Sequence, residues 1–378
     1  MLSLWLADIT GLALFQGRLF RAGTAALAAS TLVLLLMPSW IAFLRKADAT
    51  SDFDGQAHTK PPPIMGGLLL VAVVLVVALL FAIPNIQVLA ILAILASYAA
   101  VGALDDVAKI RTKRRVRTGA ITKQQWMEKA DGISARLRLV LYFGFSLLVA
   151  WAAYRFVPHL QDATIAIPFV KPSVFQLQLP GWAFVVFMSF VVAATANGAN
   201  FTDGLDSLVT VPLVTCAIFT GVVGYICGNA IWSAYLLVPH LPGVDELLIV
   251  AGAMGGALMA YLWYNAPPAE IYMGDSGSIG FGGAIGMMFV FTKAEMFLLV
   301  VGFVFLAEAL SVALQIGWFK ATGGKRLFRM APLHHHFQKL MDGSYRRRSD
   351  INSKIIWRFH LVSLFMLLLG LILFFKVR

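Results

Sequence analysis

Long apolar blocks, separated by short polar stretches, constrain this chain more than any other feature of its sequence. Ten such runs cover approximately residues 22–44, 64–83, 86–104, 137–157, 182–199, 208–228, 247–265, 277–292, 296–318 and 355–375, each bounded by charge, Pro, Gly or Asn. A helix that crosses a bilayer takes about 20 apolar residues, and most of the runs supply that length. The eighth is short and Gly-rich. Composition agrees, with 60% of residues hydrophobic and 13% charged, against about 45–50% and 25% in soluble domains. A globular core does not need its apolar residues gathered into blocks, and a bilayer does. The expected fold is all-α: one polytopic membrane domain over residues 1–378 with ten crossings. The sequence has no internal repeat of the kind that builds many transporters.

A net charge of +11 invites a nucleic-acid reading, but the placement of the charges argues against nucleic acid as a partner. Lys109, Arg111, Lys113, Arg114, Arg115, Arg117, Lys123, Lys129 and Arg136 follow the third run. Lys320, Lys325, Arg326, Arg329, Lys339, Arg346, Arg347, Arg348 and Lys354 lie between the ninth and tenth, and Arg45, Lys46 and Lys60 between the first and second. The alternate loops hold only Lys171 and Lys293. Cytoplasmic loops carry the excess of Lys and Arg, so these loops are expected inside and both termini outside, in a bacterial inner membrane. The basic loops would also attract anionic membrane lipid, at about 1 kcal/mol per residue. Cys216 and Cys227 share one apolar block, which suggests neither a disulfide framework nor a thiolate metal site. The first 20 residues lack a basic start and read as an interfacial or re-entrant segment rather than a cleaved signal. In the external loop 158–181, alternation over 164–170 and 174–179 suits a short hairpin.

Residues with catalytic potential gather on the expected inner side. Asp105 and Asp106 stand where the third helix would end, and Asn197, Asn200, Asp203 and Asp206 recur every third residue after the fifth. Asp275 lies in Met273-Gly-Asp-Ser-Gly-Ser278, and His334, His335 and His336 in the last inner loop. Adjacent carboxylates repel, so Asp105-Asp106 is either a solvated helix end or the neighbour of a cation. Hard oxygen ligands suit Mg²⁺, which shares its shell with water and substrate phosphates. Asp203 and Asp206 share a face if their segment is helical; otherwise Asp203 could cap the next helix. Ser276 and Gly277, near a helix start, would offer N–H groups to phosphate. Three adjacent histidines cannot all face one ion from a helix, which favours phosphate or sugar contacts with a structural role for at least one. Glu308, costly in lipid, is expected to face other helices, with Gln315 or a hydroxyl as partner. Together these groups suit phosphoryl transfer, which rests on positioning and electrostatics. No Walker-type phosphate loop is present.

Asp105-Asp-Val-Ala-Lys109, the stretch 197–208, the stretch 265–278 and Arg329-Met-Ala-Pro-Leu-His-His-His-Phe337 together resemble the polyprenyl-phosphate N-acetylhexosamine-1-phosphate transferase superfamily. Within it, Pro332-Leu-His-His-His-Phe337 and Met65-Gly-Gly67 resemble the bacterial phospho-N-acetylmuramoyl-pentapeptide transferase branch. The resemblance implies transfer of phospho-MurNAc-pentapeptide from UDP-MurNAc-pentapeptide to undecaprenyl phosphate, giving lipid I and UMP in peptidoglycan biosynthesis. It further implies Mg²⁺ and a homodimer. By position it marks Asp275 as principal metal ligand, with Asp105 and Asp106 as the acidic pair of the catalytic centre and as further candidate ligands. It sets Lys60, Asn200, Asp203, Asp206, Asn265 and Tyr272 near the nucleotide, and His334, His335 and His336 in the histidine loop of the catalytic region. Three departures stand out: Gln338 replaces an acid common after the histidine run, Lys60 leads into a triple Pro instead of Gly-Thr-Pro, and the basic loop after Asp106 is longer. Two other readings compete: a sibling enzyme using UDP-GlcNAc, and a membrane lipid or solute transporter with Glu308 in its path.

Overall fold

The computed structural model describes residues 2–50, 61–117, 134–167, 175–345 and 347–377. Its helices follow the apolar runs: α1 (Leu2–Thr10), α2 (Arg18–Lys46), α3 (Gly66–Phe81), α4 (Ile86–Arg117), α5 (Ala135–Phe156), α6 (Gly181–Thr202) and α7 (Thr210–Gly228). Then come α8 (Ala230–Tyr235), α9 (Leu247–Asn265), α10 (Asp275–Phe291), α11 (Leu298–Val301), α12 (Phe303–Ala321), α13 (Leu333–Met341) and α14 (Arg348–Val377). Among the described residues, 8 helices are long and apolar enough to cross a membrane. The chain is an all-α, multi-pass membrane protein.

Two of the ten expected crossings are shorter than a typical span: α3 has 16 residues and α10 has 17, roughly 24 and 26 Å at the α-helical rise. Their positions explain the tolerance. Every residue of α10 from Ser276 to Phe291 is buried, packed against α3, α4, α6 and α7. A helix walled by protein need not match the hydrocarbon thickness, because no lipid-exposed backbone is left unsatisfied. Glycine allows the close approach: a Cβ at Gly282 would stand 2.8 Å from the Ala196 Cα of α6. A second small-residue seam joins α9 to α2. Gly252 and Gly256, one turn apart, face the backbone oxygens of Ala22 and Ala26, and Ser30 Oγ donates to Gly256 O at 2.9 Å. Such spacing lets membrane helices meet at backbone distance.

One expected helix is broken. The run 296–318 was expected to be continuous, but a 3-10 turn and α11 end at Gly302, and α12 starts at Phe303. The first 20 residues give α1, with Trp5 and Ile9 exposed and Ala7 buried, followed by a 3-10 turn before α2. The hairpin forms as two short antiparallel strands, β1 (Thr164–Ile165) and β2 (Leu177–Gln178). Lys293 holds it to the end of α10 by donating to Thr164 Oγ1 at 2.8 Å and pairing with Asp162. Nearby, His159 Nε2 lies 3.1 Å from Phe291 O. Burial pulls the His159 pKa down to about 4.

The two ends of the bundle carry different chemistry. At one end, the first turn of α2 meets the start of α9: Arg21 reaches Glu246 Oε1 and Oε2 at 2.6 and 2.9 Å. Arg21 also donates to Phe81 O at 3.1 Å, and Ile83 N donates to Glu246 at 2.8 Å. Phe374, near the C-terminus, packs edge-on to Phe297 at this same end. The start of α2 and the last turns of α14 therefore lie at the same end of the bundle, opposite the carboxylates described next.

Candidate active site

At the other end, five helices bring polar groups to the start of α10. Asp105, Asp106 and Lys109 come from within α4, which was expected to end at residue 104 but runs on to Arg117; Arg138 comes from the first turn of α5, and Asn200 from the last turn of α6. Asn265 closes α9, and Asp275 is the first residue of α10. Backbone packing fixes the position of that first turn. Gly66 N and Gly67 N at the start of α3 donate to Tyr272 O and Met273 O, each at 2.9 Å, and Tyr272 N donates to Pro63 O at 2.9 Å. A Cβ at Gly67 would strike the Gly277 backbone, and one at Gly102 would strike that of Asp275. Met65-Gly-Gly67 is thus a packing motif that seats the Asp275 turn.

Asp105 and Asp106, adjacent in sequence, do different things. Both are buried. Asp105 Oδ2 takes Lys109 Nζ at 2.9 Å and Arg138 Nη1 at 3.0 Å. Those same cations reach Asp275 Oδ2 at 2.9 and 3.2 Å. Asn200 Nδ2 donates to Asp275 Oδ1 at 2.8 Å and to Ser278 Oγ at 3.2 Å. Asp106 instead accepts the backbone N–H groups of Asp275 and Ser276 at 3.2 and 3.1 Å, capping α10 from another helix. Asp203 accepts from Gly274 N–H. The N–H of Ser276 is therefore committed to a carboxylate, and Gly277 N donates to Gly274 O at 3.1 Å. The expected phosphate cradle at Ser276 and Gly277 is absent, because the protein's own acceptors fill it.

Asp203 and Asp206 do not share a helical face, since α6 ends at Thr202 with Asp203 at its C-terminal boundary. Nor does Asp203 cap α7, whose N-terminal boundary residue is Val209. Burial pushes the Asp203 carboxyl well above the ordinary range, and the charges of Asp275 and Asp106 push the same way. Asp206 accepts from Ala269 N at 3.2 Å and bonds the Tyr272 hydroxyl. Burial, followed by the Asp206 charge, raises the Tyr272 pKa. Asn265 is a strut: it accepts Ser207 N–H at 2.9 Å and donates to Ile271 O at 2.9 Å. Lys60 lies outside the described residues.

The histidines sit on a helix, α13, and face different ways. His334 is buried against Gly204, where a Cβ would overlap its ring. This places the histidine helix directly on the Asp203–Asp206 turn. His334 N donates to Glu308 at 3.1 Å, so Glu308 caps α13 as Asp106 caps α10. Its Nδ1 lies 3.2 Å from Glu308 Oε2, yet neither ring nitrogen has an aligned hydrogen bond. His336 Nδ1 accepts from Arg329 N at 3.1 Å, a structural tie. The expected Glu308 partners were Gln315 or a hydroxyl, but Gln315 accepts from Phe328 N at 2.8 Å, and the Ser311 hydroxyl donates to the Glu308 backbone oxygen at 2.7 Å instead of its carboxylate. Glu308 thus serves a helix start, and a transport path through it loses its one support.

A family model for glycosyl transferase family 4 matches residues 88–293. The chain belongs to that family. Its members are phospho-MurNAc-pentapeptide transferase and related polyprenyl-phosphate hexosamine-1-phosphate transferases. The protein is therefore a phosphoglycosyl transferase, working between a nucleotide-sugar donor and a polyprenyl-phosphate acceptor. Among the described residues, the matched stretch contains the carboxylates of Asp105, Asp106, Asp203 and Asp206 around Asp275, and it stops short of the histidine helix.

Mg²⁺ fits these residues by donor chemistry. The carboxylates of Asp105 and Asp275, from separate helices, share the same two cationic partners. Among the described residues no three His, Cys, Asp or Glu side chains form a ready metal cluster. One or two carboxylates completed by substrate phosphates and water is the usual Mg²⁺ arrangement.

The Asp106 cap can be tested separately from the chemistry. Asp106→Ala strands the buried N–H of Ser276 and the partly buried one of Asp275, so stability should fall by about 1–3 kcal/mol, measured by thermal unfolding in detergent. Asp106→Asn keeps an acceptor oxygen and should recover part of the loss.

Proposed function

We propose that this transferase moves phospho-MurNAc-pentapeptide from UDP-MurNAc-pentapeptide to undecaprenyl phosphate, giving lipid I and UMP for peptidoglycan. The observation that carries this choice of sugar is the histidine helix, whose Pro332–Phe337 sequence resembles that branch and whose His334 packs on Gly204 of the acidic turn. The membrane is the bacterial inner membrane, crossed ten times if α3 and α10 are counted. The carboxylate end faces the cytoplasm, where the basic loops belong, and two copies form a homodimer.

Asp275 and Asp105 would hold Mg²⁺, which supplies positive charge to the diphosphate of the donor. Asn200 keeps Asp275 oriented through Oδ1, while Lys109 and Arg138 supply positive charge beside it. An acceptor phosphate oxygen forms a bond to the β-phosphorus, the bond from that phosphorus to the bridging oxygen breaks, and UMP leaves. The positive charge of Lys109 and Arg138, which Asp105 holds in place, would favour the deprotonated acceptor phosphate. Asp106 contributes by fixing the turn on which Asp275 sits.

Purified protein given both lipid and nucleotide substrates should release UMP only with Mg²⁺, and the lipid product should have the mass of undecaprenyl-diphospho-MurNAc-pentapeptide. UDP-GlcNAc should react at least about 10²-fold more slowly, as expected of a site built around groups that the smaller sugar lacks. Equal turnover of both donors would assign the protein to the UDP-GlcNAc siblings instead.

A further inference from the structure

Two neighbouring histidines on α13 have unlike partners. His334 meets the Glu308 carboxylate, whereas His335 meets an amide. His335 Nδ1 lies 2.6 Å from Gln338 Oε1, and Gln338 Nε2 donates to Asn352 Oδ1 of α14 at 2.7 Å. Gln338 is three residues along the same helix and therefore on the same face. Gln338 and Asn352 are both buried, so water does not compete for the bond between them, and the bond to His335 is partly buried. An amide donates only through nitrogen and accepts only through oxygen. With its nitrogen committed to Asn352, Gln338 turns its oxygen to the ring, and Nδ1 must carry the proton. The short separation suits an N–H···O pair. Nε2 is then left with a free lone pair.

We infer that Gln338 is a positioning residue that holds His335 as the neutral Nδ1–H tautomer, so that Nε2 accepts from a hydroxyl or amide N–H of the donor substrate instead of meeting its phosphates as a cation. This rests on the transferase reading above and sharpens it. Among the described residues, the titratable and charged groups that act most on the ring are His334 on its own helix, Glu308 of α12 and Arg348 at the start of α14. Burial, then His334, lowers its pKa below the ordinary value, against the opposing pull of Gln338 and Glu308. A carboxylate at position 338 would reverse that balance.

The test uses the full-length protein in nanodiscs with ¹⁵N-labelled histidine, the His335 signals being assigned by their loss in His335→Asn. Wild type should give the Nδ1–H pattern. An Nε2–H pattern, which needs both amides turned over, would overturn the inference. In Gln338→Glu the His335 pKa should rise by about 1–3 pH units, and the acid limb of kcat/KM should move to higher pH with it. An acid limb that stays put while the ring pKa rises would also overturn it, since Nε2 would then not be used as an acceptor. Wild type that makes no lipid-linked sugar would refute the transferase reading, with the tautomer still decided by its own spectrum.

Discussion

Asp275→Asn is expected to cut UMP release by about 10²–10³-fold, the size seen when one preorganised electrostatic group is lost. The Asp275 carboxylate is where Lys109, Arg138 and Asn200 meet, at 2.9, 3.2 and 2.8 Å. Asparagine removes the charge that balances both cations and that would hold Mg²⁺. Its backbone N–H still donates to Asp106, so the start of α10 should survive. Initial rates over a Mg²⁺ titration, beside a melting curve, separate the two effects. Near-wild-type turnover would remove Asp275 from the centre of the site.

Arg21→Met should give the largest loss of stability, about 3–5 kcal/mol, the range for stripping one partner from a buried ion pair. Glu246 would keep its hydrogen bond from Ile83 N at 2.8 Å but lose both contacts to the guanidinium. Arg18 cannot replace them, since its Nε stands 3.9 Å from Glu246 and is engaged with Asp245. Denaturant or thermal unfolding in detergent reads the loss. Turnover per folded molecule should hold, because this pair lies at the opposite end from Asp275. Adding Glu246→Gln should restore part of the stability: the buried charge is gone and the amide oxygen still accepts from Ile83. A single variant that melts like wild type would show that water reaches the pair.

Much of the architecture was legible because hydrophobicity sets it directly. The run 247–265 is α9 residue for residue, and the hairpin sits where alternation placed it. Gathering of Asp105, Asn200, Asp203 and Asp275 at one end followed from their positions after the third and fifth apolar blocks and before the eighth. What each carboxylate touches was not legible, since those partners are far apart in sequence. Asp106 caps a helix that begins 169 residues later. Arg138 escaped notice because headgroup attraction was a sufficient reason for basic residues in that region. One local signal did exist: a cation in the first turn of α5 opposes the helix dipole, a cost that suggests a compensating partner. The break at Gly302 was hidden because the apolar run continues through it.

The complete enclosure of α10 has a mechanical consequence. A rod gripped along its whole length, with its leading edge pinned by acids from two other helices, cannot shift to meet an incoming molecule. Adjustment to different headgroups therefore falls to the periphery, chiefly the short histidine-bearing segment that leans on Gly204 and is hung from Glu308. On the proposed reading, the diphosphate would be broken against a fixed support, and selection of the donor would fall to a separate element.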